Sequence, residues 1–201
     1  MNVALIWDHL SLVLSALILA VGVGVPLGLL AYLFPRFGKA ILWVVDLIQT
    51  VPALALLGII MVVMDPGSPT AVIGLTLYSL LPIVRNTSLG LSQVPEHLQE
   101  AATGMGMSGT YRLLHVEVPL AVPMLVTGIR IAAVNAIGTA VFASFVGGGG
   151  LGGLFYTAIR QENMGMIFVG TLVLMVMAFV LDAGLSYMEH RLSSHSRKQL
   201  P

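Results

Sequence analysis

Cysteine is absent from the 201-residue chain. That excludes disulfides, thiolate metal sites and cysteine nucleophiles, and says nothing about redox compartment. Charge is nearly as scarce: Asp, Glu, Lys and Arg make up 9% of the residues, against about 25% in a soluble domain. Nine basic and nine acidic residues cancel to a formal net charge of zero, so no broad basic face is offered to DNA or RNA. Catalytic patterns are missing as well. No Gly-x-x-x-x-Gly-Lys-Ser/Thr occurs, so the chain is not expected to hold ATP in a P-loop. No His-Glu-x-x-His occurs among the five histidines, His9, His97, His115, His190 and His195. His190 and His195 are poorly spaced for ligation, and no metal site is expected. No serine has a histidine and a carboxylate in a suggestive context, so no enzyme is expected.

What the chain has is apolar length. Hydrophobic residues make up 57% of it and the mean hydropathy is +0.97. So few charges could not cover the surface of a soluble domain. Five apolar runs are long enough to cross a bilayer: His9–Leu33, Ala40–Met64, Thr70–Leu91, Pro119–Phe145 and Met166–Met188. They are continuous and do not alternate, which argues against transmembrane strands. The expectation is an all-α, polytopic membrane bundle of about five spans, with one membrane domain over 8–188 and a cytoplasmic tail over 189–201.

Basic residues set the orientation. Arg36 and Lys39 lie between runs one and two, Arg112 between three and four, and Arg191, Arg197 and Lys198 in the tail. Those segments share one side if there are five spans, and that side is cytoplasmic. The N-terminus, the loop at Asp65 and the segment Gly147–Asn163 are then outside. The apolar N-terminus lacks a basic n-region and reads as a span, not as a cleaved signal. Pro26, Pro52 and Pro82 interrupt spans one, two and three, each removing a backbone bond and inviting a kink. Gly24 and Gly28 have the spacing that permits close helix approach, with general packing the favoured role. The glycine run from Gly147 to Gly153 reads as a flexible outer loop, not a phosphate cradle, since no lysine follows it.

The segment from Pro95 to Pro119 differs from everything around it. Pro95 suits a first helical position and Glu96 the positive helix start. Leu98, Ala101, Ala102 and Met105 make an apolar stripe at helical spacing, and Gly104, Gly106 and Gly109 supply a break. A short amphipathic helix is expected in the cytoplasm, lying on the membrane or offered to the groove of a partner. Glu100-Ala101-Ala102, Gly106, Val116 and Val118-Pro119 resemble, in residue and spacing, the EAA signature of ABC-importer permeases. Valine replaces the family's isoleucine and leucine at 116 and 118. Gly104-Met105-Gly106-Met107, Val116-Glu117-Val118-Pro119-Leu120-Ala121, Gln49-Thr50-Val51-Pro52-Ala53-Leu54, Pro82-Ile83-Val84-Arg85-Asn86-Thr87 and the Gly147–Gly152 run look like the osmoprotectant branch of that family.

The resemblance covers roughly residues 8–188. It implies a type-I importer fold in a bacterial cell (inner) membrane, importing glycine betaine, choline, carnitine or related compounds. It implies that this chain forms half of a pore with a second permease, the same chain or a relative. A cytoplasmic ABC ATPase, which holds the ATP and Mg, would drive it, and an extracytoplasmic binding protein would deliver substrate. Glu100 would make a polar contact to the ATPase, Ala101 and Ala102 would enter a tight groove, and Gly104 and Gly106 would shape the turn toward span four. Three other readings fit the same residues: a permease of this fold for another solute such as an amino acid, an ATP-independent channel, and a membrane scaffold.

Four ionisable residues fall within the spans: Asp46, Arg85, Arg130 and Asp182. Arg130 lies about 16 Å in from the cytoplasmic end of its span, and the other three roughly 9 Å. Two acids and two bases at similar depth suggest interior pairing that fixes helix packing, with an inner gate as the functional alternative. Arg130 is expected to pair with Asp182 or Asp46. Quaternary ammonium groups are recognised by aromatic cages, but the spacing of Tyr78, Phe142, Phe145, Phe155 and Tyr156 shows no cage. No high-affinity substrate site is expected in this chain.

Overall fold

The computed structural model describes residues 2–197, with side chains through Arg191. The elements run α1 (Val3–Leu33), α2 (Pro35–Thr50), α3 (Ala53–Met64), α4 (Ser68–Ser92), α5 (Glu96–Gly104) and α6 (Gly109–Arg112). A π-helical turn (Leu113–Glu117) leads into α7 (Val118–Thr139), extended by a 3-10 turn (Ala140–Val146). Then come α8 (Gly152–Arg160) and α9 (Met164–Arg197). No strand occurs among the described residues. Local chemistry sets several starts: the Asn2 side chain accepts from the Ala4 amide at 3.1 Å, and Pro35 occupies the first turn of α2, where its missing N–H costs nothing.

Among the described residues, four helices are long and apolar enough to cross a membrane, and α2 with α3 makes a fifth only as a broken pair, bent by 99°. The kink expected at Pro52 is thus a full break between two helices. The break has a local cause. Val51 precedes a proline, which disfavours the helical region, and it is extended at φ −74° and ψ 127°. Pro26 and Pro82, by contrast, stay inside the continuous helices α1 and α4. The tail has no boundary at 189, because α9 runs on to Arg197. Lys198 and the side chains of His195 and Arg197 lie outside the described residues.

The core is the packing of α1, α4 and α7. Leu12, Val13, Ala16, Leu75, Ala136 and Ile137 are buried together there. Lipid offers no hydrophobic drive between helices, so close van der Waals approach must hold them. Glycine permits it on both sides of α4. A Cβ on Gly28 would lie 2.6 Å from Thr87 Cβ, and one on Gly128 would lie 2.7 Å from the Pro82 carbonyl oxygen. Gly24 likewise faces α4, against Ile83.

At the end of the bundle holding the α1 start, the glycine run is not the flexible loop expected. Gly148, Gly150, Leu151 and Gly152 are buried, and a Cβ on Gly148 would meet Ala71 Cβ at 2.5 Å. Buried His9 holds this segment. Its Nε2–H donates to the Ile137 carbonyl at 3.0 Å, while its Nδ1 accepts from the Leu151 amide at 3.3 Å. A carbonyl only accepts and an amide N–H only donates, so the ring is fixed as one neutral tautomer.

Candidate functional site

Two polar constellations stand out, one at each important break in the helices. The first is at the end of the bundle that carries α5. The α5 helix closes with a Schellman arrangement: the Met107 amide donates to Ala102 O at 3.1 Å and the Gly106 amide to Thr103 O at 2.9 Å. Gly106 has φ +82°, a left-handed conformation that glycine adopts without steric cost. The expected apolar stripe divides. Ala102 is buried and Leu98 half-buried, while Glu100, Ala101, Gly104 and Met105 are exposed. Ala102 therefore faces its own chain and is not free to enter a partner's groove; Ala101 and Glu100 are.

A buried carboxylate anchors this helix. Glu117, on the π-helical turn, is 2% exposed. It accepts from the Tyr32 hydroxyl of α1 at 2.9 Å and from Arg112 Nε at 2.7 Å. Arg112 Nη1 in turn donates to Thr103 Oγ1 of α5 at 2.9 Å. The path Tyr32–Glu117–Arg112–Thr103 joins the end of α1, the entry to α7 and α5 through charge-assisted bonds, the strong kind. Sequence reading uses Arg112 only as a charge on a loop and misses Glu117 and Tyr32. The available signal is an acid enclosed by Val116 and Val118 in an apolar frame.

The four charges placed in the spans pair, but on two flanks rather than in the interior. Arg85 Nη2 on α4 meets both Asp46 carboxylate oxygens on α2 at 2.7 and 2.9 Å. The two side chains are 55% and 43% exposed. Arg130 on α7 pairs with Asp182 on α9 at 2.9 Å, one of its two candidate partners, and also with Glu189 at 2.9 Å. Thr127 donates to the other Glu189 oxygen at 2.8 Å. Assigning Glu189 to the tail hides it from the sequence reading, although it follows Asp182 by two helical turns and so shares its face.

The second constellation lies at the break between α2 and α3. Pro82 has no N–H, so the Tyr78 carbonyl four residues earlier loses its helical donor. Gln49 Nε2 donates to that carbonyl instead, at 2.8 Å. The Tyr78 hydroxyl donates to the Val51 carbonyl, which the break at Pro52 leaves exposed. The two interruptions thus satisfy each other's freed backbone groups, as lipid requires. Beside this lock lies a cavity of about 380 Å³ lined by Gln49, Tyr78, Ser79, Asn135, Thr139 and Phe142.

The model of one family, described as the binding-protein-dependent transport system inner membrane component, matches residues 20–194. The chain belongs to this family. It is 37% identical to the carnitine transport permease protein OpuCB of Listeria monocytogenes, over 93% of this chain and 86% of that protein. It is 39% identical to the osmoprotectant import permease protein OsmW of Salmonella typhimurium, over 94% of this chain and 88% of that protein. Among solved structures, a chain of the MetNI methionine ABC transporter in an inward-facing conformation superposes with a TM-score of 0.86 at 21% identity. The alignment covers 94% of this chain and 95% of that one, and the likeness is one of fold. The all-helical, type-I ABC permease architecture expected from the sequence is therefore the architecture of this membrane component.

Proposed function

We propose that this permease imports osmoprotectants, quaternary ammonium compounds of the glycine betaine, choline and carnitine kind, as one half of a two-permease pore. The observation that carries the substrate class is the near full-length similarity to permeases named for carnitine and osmoprotectants. In this reading α5 is the coupling helix, and a cytoplasmic ATPase binding ATP and Mg docks on its exposed face through Glu100 and Ala101. Movement of α5 reaches α1 and α7 through Thr103, Arg112, Glu117 and Tyr32, because charge-assisted bonds resist stretching where an apolar contact would slip. An extracytoplasmic binding protein docks at the opposite end, near Asp65 and the Gly147–Gly152 segment. The orientation is N-terminus out and C-terminus in.

The test uses the cysteine-free chain in its assembled complex. A cysteine at Glu100 should cross-link to the co-expressed ATPase, while one at Asp65 should react with an impermeant thiol reagent in intact cells, with any outer membrane permeabilised. Reconstituted complex should carry labelled glycine betaine, choline or carnitine in preference to methionine or histidine. Ala101→Trp, too bulky for a snug groove, and Gly106→Val, strained at positive φ by about 1–2 kcal/mol, should lower transport and ATPase retention together. Inverted labelling sinks the orientation, and exclusive transport of an amino acid sinks the substrate class.

A further inference from the structure

The cavity at the α2–α3 break has a chemistry of its own. By helical rise Tyr78 lies about 15 Å into α4, near mid-membrane. The lining offers two amides, Gln49 and Asn135, two hydroxyls, Ser79 and Thr139, and two aromatic rings, Tyr78 and Phe142. None of the described residues lining it carries a charge at neutral pH. Its volume of about 380 Å³ is in the range of small-molecule sites, roughly 300–1,000 Å³.

The cavity opens onto a particular stripe. Beyond the first turn of α7 and along its 3-10 extension, Ile131, Asn135, Gly138, Phe142 and Phe145 are the exposed positions, recurring at helical spacing. An exposed asparagine at this depth is costly against hydrocarbon, so the stripe faces water or a partner rather than lipid. Aromatic rings continue along it toward the outer end. Phe142 and Phe145 have centroids 6.5 Å apart, and Phe145 and Tyr156 meet edge to face at 5.8 Å. The outermost ring is taken, because the Arg160 guanidinium lies over Tyr156 at 5.7 Å from its centroid. Phe142 lies at the inner end of this series and lines the cavity together with Tyr78.

We infer that this cavity is a transit site for the quaternary ammonium group of the cargo, with Phe142 and Tyr78 supplying ring faces and Gln49 and Asn135 accommodating the polar remainder. The inference rests on the osmoprotectant reading above. Its physical logic is selective weakness. A quaternary ammonium has no N–H to satisfy and little hydration to lose, so an aromatic face suffices for it. Potassium or sodium would have to shed tightly held water with no carboxylate to replace it, so the same site rejects them. A carboxylate in the cavity would hold the cation too long, whereas conduction needs sites that release as readily as they bind. The broken helix supplies the location, as discontinuous membrane helices do when they create polar surface at mid-depth.

Two measurements test this. In proteoliposomes containing the complete importer, Phe142→Leu should lower the rate of choline or glycine betaine uptake about 3- to 30-fold, the range set by one cation–π contact. Phe142→Tyr should restore most of it. Separately, a Phe142→Trp variant with Trp7 and Trp43 changed to Phe is purified with its ATPase and without the binding protein. The spectrum of the same complex carrying Phe142 is subtracted. Tetramethylammonium chloride should then shift the fluorescence saturably at millimolar concentration, while potassium chloride and neutral neopentyl alcohol should not. Wild-type uptake of these solutes with unaltered uptake in Phe142→Leu overturns the transit site, as does an equal response to potassium or to the neutral alcohol. Absence of quaternary ammonium uptake in the wild type overturns the osmoprotectant reading instead, and a tetramethylammonium response of the Phe142→Trp variant would then still stand as binding.

Discussion

At the α5 end of the bundle a carboxylate is almost wholly enclosed, and Tyr32 and Arg112 both donate to it. Half-way along the membrane, the interruption at Val51–Pro52 is closed by an amide and a phenol, Gln49 and Tyr78, and the adjoining cavity has no charge. Both regions satisfy polar groups at points where the backbone leaves the regular helix, but with different strengths of bond. Charge-assisted bonds are roughly twice as strong as neutral ones and suit a joint that must transmit displacement. Neutral groups satisfy the backbone without trapping a cation and suit a passage. Charge is therefore placed in the joint and on the flanks, and not among the residues that line the cavity inferred for cargo.

The change expected to act most strongly removes the joint's anion. Glu117→Ala leaves the Arg112 guanidinium, 29% exposed, without its counter-charge and the Tyr32 hydroxyl without its acceptor. Breaking such a pair from one side should cost on the order of 2–4 kcal/mol, read as a lower unfolding midpoint in detergent and a loss of ATP-driven uptake. Glu117→Gln keeps an acceptor for Tyr32 and should fall between. Wild-type stability and coupling in Glu117→Gln would show that charge is unnecessary there, and the contrast with the mid-membrane lock would collapse.

The next change imports charge into the neutral region. Asn135→Asp places a carboxylate in the cavity without altering size. A cation should then bind more tightly and leave more slowly, so both KM and kcat for choline uptake should fall, by roughly three- to tenfold. Unchanged kinetics would mean that the neutrality of this cavity has no bearing on passage.

How far these regions are legible in the sequence follows from the range of the interactions involved. Span positions and the loop helix rest on local runs of residues, and Thr70–Leu91 is nearly the whole of α4, Ser68–Ser92. The turn at Gly106 is visible because one residue decides it. Depth along the helices narrows the partner of Arg130 to Asp182 or Asp46, and the packing of α7 on α9 decides between them. The Tyr32–Glu117 bond is not legible even to that extent, since it joins positions 85 apart in sequence and depends on how α1 meets α7. The shared aromatic lining of the cavity escapes the sequence for the same reason. Spacing along one helix shows no cage, whereas Tyr78 and Phe142 reach one cavity from two helices. The glycine run reads as loose because glycine is permissive, yet burial against Ala71 and His9 makes it one of the tighter segments.

The smallest effect is expected on the flank, and it places a third environment beside the other two. Arg85 Nη2 lies close to both Asp46 oxygens, but both side chains are about half exposed. If the surface they line is bathed by water in the assembled pore, their attraction is screened and Asp46→Asn should cost less than about 1 kcal/mol, like other exposed pairs. The reversed pair, Asp46→Arg with Arg85→Asp, should then fold and transport at close to the wild-type level. If lipid covers that surface, Asp46→Asn strands an arginine in hydrocarbon, and the loss should approach that of Glu117→Ala. Unfolding midpoints of Asp46→Asn measured in the same detergent as Glu117→Ala decide between the two. A small shift keeps the strong joint unique to the α5 end, and a large one makes the α2–α4 flank a second joint, through which movement at the bundle's end would reach the broken span directly.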